Sequence, residues 1–305
     1  MALSKQIPLK TFGCMFDNIQ FFYYLIRKER MKKNMKKRFF AAAMAAVMLT
    51  GCGGTAPEEK DTFVVGMECA YQPFNWQTTE ETDTSVSLGG AGLADGYDVM
   101  IAQDIADSLG KELVIKKIEW NGLIPAVNSG EIDAIIAGMT ANEDREKGLD
   151  FTTPYYESDG MVMIVRKGSE QESYTDIQQF SGQTVMGQLS TNYDEVIDQI
   201  DGVNHAVPKK SYPEMVVASR AGDTDGITAE MPVAEGIVAA NPDLAIVTFA
   251  DGKGFEIDTT VSIALKNDSR DSDFFKAVQK ALDKISKETR NEYMKRAVET
   301  APVGE

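Results

Sequence analysis

Residues 130–145 read GEIDAIIAGMTANEDR, and the fold turns on this stretch. Gly130 suits the left-handed residue that ends a helix. Asp133 then opens an apolar run, IDAIIAG, that reads as a buried strand. Polarity returns at Thr140, after which Asn142 suits a helix cap and Glu143 and Asp144 suit a first turn beside the positive end of the helix dipole. Arg145 does not suit that position, so it faces either a carboxylate of the chain or an anion arriving from outside. A second segment, GDTDGITAEMP at 222–232, repeats the scheme G-x-x-D-x-I, with a helix stopping at Gly222 and a strand opening at Asp225. Five residues past each aspartate the strands deliver Gly138 in one case and Glu230 in the other. In open α/β sheets the ligand crevice lies outside the carboxyl ends of the strands, so two such sheets face to face would put GMT and Glu230 on opposite walls of one cleft.

Outward from these segments, short β-rich runs alternate with helical patterns, which predicts mostly parallel sheets built from βαβ units. TFVVGM, ELVIKKIEW, GMVMIVRK, TVMGQ, DGITA, LAIVTF and TVSIALK read as strands, and YDVMIAQDIADSLG, GLIPAVNSG, NYDEVIDQI, YPEMVVASRAG, MPVAEGIVAAN, SDFFKAVQKALDKI and TRNEYMKRAV as helices. The 77–95 region, containing TTEETDTSVSLGGAG, reads as a long, polar, mobile loop whose glycines lack the spacing of a dinucleotide fingerprint. With 305 residues and 43% hydrophobic content, the chain fills two cores of ordinary size. Its formal net charge is −16, but residues 1–51 hold ten of the 31 Lys and Arg and two of the 47 Asp and Glu, so the remainder stands at −24. Such a surface repels nucleic acid. The single histidine, His205, excludes motifs that need two, the HExxH zinc site among them.

The basic amino terminus has its own reading. From Met31 the chain runs MKKNMKKRFFAAAMAAVMLTGC, a basic stretch and a short apolar run ending in small residues at Cys52. That predicts a secretory signal over residues 1–51, too short to span a bilayer, with the true start at Met31 or Met35. It resembles a bacterial lipoprotein signal, which implies that Cys52 carries the lipid, and residues 52–61 (CGGTAPEEKD) then form a flexible tether. Beyond Cys52 only Cys69 remains, a small buried thiol with no partner for a structural disulfide.

FVVGMECAYQPFNW, GYDVMIAQDIADSLG, EWNGLIPAVNSGEIDAIIAGMTANEDREKGLDFTTPYY and GQTVMGQLSTNYDEV resemble, in order and spacing, the polar amino-acid-binding proteins of ABC importers, solute-binding family 3. The resemblance covers nearly all of 62–300 and is most specific over 119–156. It implies a two-lobed α/β fold of the type II periplasmic-binding-protein kind, each lobe a mostly parallel sheet flanked by helices. Lobe 1 is expected over 62–156 plus 252–300 and lobe 2 over 157–251, with two hinge crossovers near 155–159 and 249–253. It also implies roles. Arg145 would clamp the ligand α-carboxylate, with hydroxyl and N–H donors from Thr191 and Asn192. Glu230 would pair with the α-ammonium, helped by the Gly138 carbonyl and the Thr140 hydroxyl; most family members carry aspartate there, so this chain is one methylene longer. Tyr71 and Trp120 would flank the ligand side chain, Glu68 would meet its far end, and Gln188 would add a polar group, while Phe74 belongs to the core.

A carboxylate at Glu68 accepts from a guanidinium, ammonium or amide and repels an acidic side chain, which favours arginine, lysine, ornithine or glutamine over glutamate and aspartate. The expected protein is a monomer without cofactor, lipid-anchored on the extracytoplasmic face of the membrane, that hands its amino acid to a separate permease. Amino-acid sensing without transport, and a dehydratase on the same fold with Glu230 as its acid, are the alternatives. If Cys52 is the lipid attachment point, Cys52→Ala moves the protein from the membrane to the aqueous fraction in detergent phase partition, with its amino-acid binding unchanged.

Overall fold

The computed structural model describes residues 61–90, 92–158 and 160–302. The expected signal, Cys52 and the tether up to residue 60 lie outside the described residues. The two repeated segments do the same job in two separate sheets. Helix Trp120–Ser129 ends at Gly130 (φ 77°) and helix Tyr212–Ala221 at Gly222 (φ 84°), both left-handed, where a side chain would be strained. Each glycine N–H turns back to the helix, and the next residue reaches one carbonyl further, Glu131 to Ala126 and Asp223 to Ala218. The aspartates then brace the opening of each sheet. The Asp133 carboxylate accepts from the Val64 N–H at 2.9 Å while its own N–H donates to the Val64 carbonyl at 2.7 Å. Asp225 does the same with Thr184, at 3.0 and 2.7 Å.

This shared brace sets a shared topology. The first sheet runs, in spatial order, Glu112–Lys117, Thr62–Met67, Ala134–Ile135, Thr260–Lys266 and Leu149–Glu157. The second runs Asn204–His205, Thr184–Met186, Gly226–Glu230, Met161–Arg166 and Leu244–Val247. In each, one strand is antiparallel to both neighbours: Thr260–Lys266 in the first and Met161–Arg166 in the second. These are the strands that enter directly after a crossover, so the chain comes back into each sheet from the opposite end. Both sheets are otherwise parallel, as the βαβ pattern predicts.

The crossings themselves lie close together. Strand Leu149–Glu157 leaves the first sheet at its register partner Thr260, and the Thr259 hydroxyl donates to the Ser158 carbonyl at 3.0 Å. The first crossing thus falls within the expected 155–159. The second does not fall at 249–253. The Lys253 carbonyl still accepts from Ile177, and the Glu256 N–H still donates to Gln199, so the link passes after residue 256. Phe249 and Phe255 pack on the core of Met163, Val165, Phe180 and Val247, and this apolar anchor carries the segment past the expected boundary.

Two further elements depart from the sequence reading. The 77–95 region is not a free loop: Thr78 pairs with Leu93 and Val86 with Ala94 in an antiparallel four-stranded sheet completed by Ala70–Tyr71. The Thr82 and Thr84 hydroxyls donate to the Asp95 carboxylate at 2.7 and 2.8 Å, so polar residues that read as a solvated loop are folded back on a buried acid. NYDEVIDQI is a four-residue helix, Asn192–Glu195, continued as a 3₁₀ turn over Val196–Gln199. Helix Tyr97–Leu109 and helices Asp273–Leu282 and Lys287–Thr300 pack against the first sheet and bury Ile101, Ile105, Phe275, Val278 and Leu282. No helix among the described residues is long and apolar enough to cross a membrane. Because each brace serves a polar backbone pair at a strand start, Asp133→Ala and Asp225→Ala should each cost about 1–3 kcal/mol, read as a lower urea midpoint at unchanged slope.

Candidate functional site

The carboxyl ends of both sheets meet at one hollow. Strand Thr62–Met67 delivers Glu68 and Tyr71, helix Trp120–Ser129 begins with Trp120, and Gly138 follows strand Ala134–Ile135. From the other sheet, the turn after Thr184–Met186 supplies Gln188, Thr191, Asn192 and Tyr193, and Gly226–Glu230 ends on Glu230. A small hollow of about 10 Å³ is lined by Glu68, Tyr71, Trp120, Gly138, Gln188, Thr191, Asn192 and Tyr193. Seven of these eight are residues the sequence singled out; Tyr193 is the addition. Thr140, Arg145 and Glu230 sit behind that lining, each touching it or its neighbours.

Arg145 answers the question its position raised. Asn142 caps the turn, accepting the Arg145 N–H at 2.9 Å, and the Arg145 guanidinium donates to the Thr140 carbonyl at 2.8 Å. Its carbon lies 5.2 Å from the Trp120 ring centroid. The residue is 9% exposed and makes no ion pair among the described residues. Of the acids near it in sequence, Asp144 pairs with Lys147, and Asp150 with Arg270 and its backbone. Burial pulls its pKa down, partly offset by the field of Glu195. A buried cation without a carboxylate partner is costly, and one behind the lining of a hollow has the chemistry to meet an anion there.

Glu230 is the counterpart. It is fully buried; Oε1 accepts from the Tyr71 hydroxyl in a very short bond and from the Tyr193 hydroxyl at 3.2 Å, while Oε2 has no hydrogen-bond partner among the described residues. Burial raises its carboxyl to about 7, against the pull of the Tyr71, Tyr193 and Ser158 hydroxyls. A buried carboxylate oxygen with an empty lone pair is a place for a donor. Glu68, also buried, accepts from Gln188 Nε2 at 2.9 Å, and burial pushes it too up to about 7. These contacts cross between the two sheets, as does the bond from Trp120 Nε1 to the Ser190 carbonyl at 2.9 Å.

The aromatic arrangement is richer than expected. The Tyr71 ring stacks on Phe74 at 5.2 Å and tilts against Tyr212 at 5.3 Å. Gly138 (φ 62°) lies against it: a Cβ there would stand 2.8 Å from the Tyr71 ring. The Thr191 hydroxyl donates to the Gln188 carbonyl at 2.7 Å and accepts the Asp194 N–H at 3.2 Å, so it caps the turn with its proton already engaged. Tyr193 and Tyr212 had no distinguishing signal in the sequence, because only tertiary packing brings their rings to Glu230 and Tyr71. The Cys69 thiol, raised to about 12 by burial, is not a nucleophile.

Two mixed sheets that close on a polar hollow, joined by paired crossings, define a type II periplasmic-binding-protein fold. The chain belongs to the bacterial extracellular solute-binding proteins, family 3, whose family model matches residues 63–298. It is therefore a solute-binding protein, not an enzyme. It is 31% identical over 232 residues to the L-cystine-binding protein TcyJ of Escherichia coli, covering 76% of this chain and 80% of that one. It is 27% identical to the arginine-binding extracellular protein ArtP of Bacillus subtilis, covering 77% and 87%. Among solved structures, the amino acid ABC transporter substrate-binding protein AbpA of Streptococcus pneumoniae bound to L-arginine superposes with a TM-score of 0.70 at 25% identity, covering 80% and 97%. An ancestral arginine-binding protein bound to glutamine gives 0.66 at 26% identity, covering 78% and 98%.

The buried acids make the closed form sensitive to pH. Both carboxyls stand at about 7 when folded against an ordinary value near 4.5, so folding binds protons and the stability they lend is complete below 4.5 and lost as pH rises through 7. Melting temperatures of the unliganded protein should therefore fall more steeply across that window in wild type than in the Glu68→Gln, Glu230→Gln double variant.

Proposed function

We propose that the protein captures an amino acid with a basic side chain outside the cytoplasm and delivers it to the membrane permease of an ABC importer. The observation that carries this reading is Arg145, a buried guanidinium just behind the cavity lining with no carboxylate partner among the described residues. In this reading Arg145, with the turn at Thr191 and Asn192, holds the ligand α-carboxylate. Glu230 holds the α-ammonium on its unpartnered oxygen, with the Gly138 carbonyl and the Thr140 hydroxyl beside it. Tyr71 and Trp120 flank the side chain, and Glu68 with Gln188 meets its far end. The ammonium competes with the Tyr71 hydroxyl for Glu230, and a cationic side chain competes with Gln188 for Glu68.

The two lobes of this reading are 61–157 with 258–302, and 158–257, hinged at the paired crossings where Thr259 bonds to Ser158. Ligand would select the closed form because only there do both of its backbone charges find partners. The family's extracellular setting supports action outside the cytoplasm. Attachment through a lipid on Cys52, and a monomeric state, complete the proposal. Relatives that bind arginine or glutamine support the ligand class. The cystine-binding relative supports a second candidate, since the distant ammonium of cystine is also a cation for Glu68.

A thermal-shift panel of the twenty amino acids with ornithine and cystine, on protein lacking residues 1–52, tests the reading. A ligand at a hundredfold excess over Kd adds roughly 2.7 kcal/mol and raises the melting point by several degrees. Arginine, lysine or ornithine should lead, with glutamine next, and Arg145→Ala should abolish every shift while keeping the fold. A larger shift from glutamate or aspartate overturns the role of Glu68, and retained affinity in Arg145→Ala overturns the clamp.

A further inference from the structure

Asp98 is the most deeply buried acid of the first lobe outside the cavity, with no exposed surface. It sits in the first turn of helix Tyr97–Leu109, beside the cavity's supporting segments but not in its lining. It has no ion pair among the described residues; its two oxygens are served by neutral donors, Oδ1 by the Tyr155 hydroxyl at 2.6 Å and Oδ2 by Asn75 Nδ2 at 2.8 Å. An isolated carboxylate in a core is costly, and an apolar side chain of similar volume would pack there more cheaply. The polarity of the bonds explains why an acid stands there.

The Tyr155 oxygen accepts the Gly138 N–H at 3.1 Å, so the Tyr155 hydroxyl proton must find an acceptor elsewhere. Asn75 Oδ1 accepts the Cys69 N–H at 2.7 Å, so its amide nitrogen must likewise point its protons at an acceptor. Two relays thus converge from two segments of the cavity wall, and both demand a group that only accepts. A carboxylate with two oxygens meets the demand; an asparagine at position 98 would turn a donor toward one relay. The held segments need holding. Cys69 sits at φ 55° and Gly138 at φ 62°, and a left-handed cysteine between Glu68 and Tyr71 is not a conformation that residue adopts unaided. The same pair of helix residues reaches the hinge strand: the Tyr97 hydroxyl donates to the Tyr155 carbonyl at 2.8 Å, three residues before Ser158.

We propose that Asp98 is a positioning residue for ligand capture, whose one buried carboxylate fixes both first-lobe segments of the cavity, through Asn75 and Tyr155, and ties them to the strand that runs into the hinge. The inference rests on the proposed amino-acid site for its effect on affinity, but not for the shared brace itself. Asp98 touches no ligand in this reading. It sets the direction of Gly138, beside the ligand ammonium, and of Glu68 and Tyr71, through the turn at Cys69.

The test uses the full chain and two variants, Asp98→Asn and Tyr155→Phe. Amide hydrogen exchange without any amino acid present reads the brace directly. Asp98→Asn should speed exchange at both Cys69 and Gly138 by tenfold or more and leave Val64, on the same sheet, unchanged; acceleration at one segment alone overturns the shared brace. Calorimetry with L-arginine, L-glutamine and the deaminated analogue of arginine reads the consequence. Tyr155→Phe, which keeps the ring and removes the relay, should weaken binding of the amino acids at least tenfold and of the deaminated analogue less than twofold. Equal losses for all, or none, overturn the positioning role. Asp133→Ala serves as the control for plain destabilisation: its dissociation constants should match wild type. If wild type binds none of these ligands the proposed site fails, and the exchange result still decides the brace.

Discussion

Two buried charges that find no counter-charge among the described residues dominate this molecule. Arg145 is enclosed beside Trp120 with only the Thr140 carbonyl for company, and Glu230 is enclosed beneath Tyr71 with one oxygen unserved. Either would destabilise an ordinary core by several kcal/mol. Here they stand behind opposite walls of one hollow, and in the proposed reading a zwitterion supplies what each lacks. The surrounding architecture follows from that requirement. Strand ends must converge from two sheets, and the sheets must separate to admit what they grip.

The duplicated topology is the means. Each sheet is opened by an aspartate that clasps the first strand, and each receives its antiparallel strand immediately after a crossing. In the proposed reading the two crossings, lying side by side, serve as the hinge, because a pair of short extended segments resists sliding more than bending. The contacts made on closure are few and individually modest: Gln188 on Glu68, Ser190 on Trp120, Glu230 on Tyr71, and the exposed pair of Lys210 with Glu119. Closure without ligand also loads two carboxyls with an unfavourable charge. In the proposed reading, contacts this modest leave closure to be favoured by the ligand.

The brace around Asp98 shows how such a site keeps its shape while the lobes move. All of its members belong to the first lobe, so closing leaves the network intact. The cavity wall it supports travels as one piece with the strand that enters the hinge.

Much of this was legible in the chain. The strand and helix order followed from period and punctuation, and the repeated G-x-x-D-x-I scheme located both sheets' ligand edges, since a glycine cap and a strand-opening aspartate act within a few residues of themselves. Arg145 stood out because a cation at a helix start contradicts a local rule, and a local contradiction can be read locally. Tyr193, Tyr212 and the Asp98 relay were not legible, because their partners lie tens of residues away and any buried tyrosine or aspartate reads alike beforehand. The ordered 77–95 sheet and the later second crossing were likewise hidden, one folded on Asp95 and the other held by Phe249 and Phe255. The sequence by itself determined which residues could cap, open and charge each element, since those properties depend on near neighbours. Only the tertiary structure decided which of them face one another, because burial, and with it the carboxyl protonation and the value of every polar contact, belongs to the assembled fold.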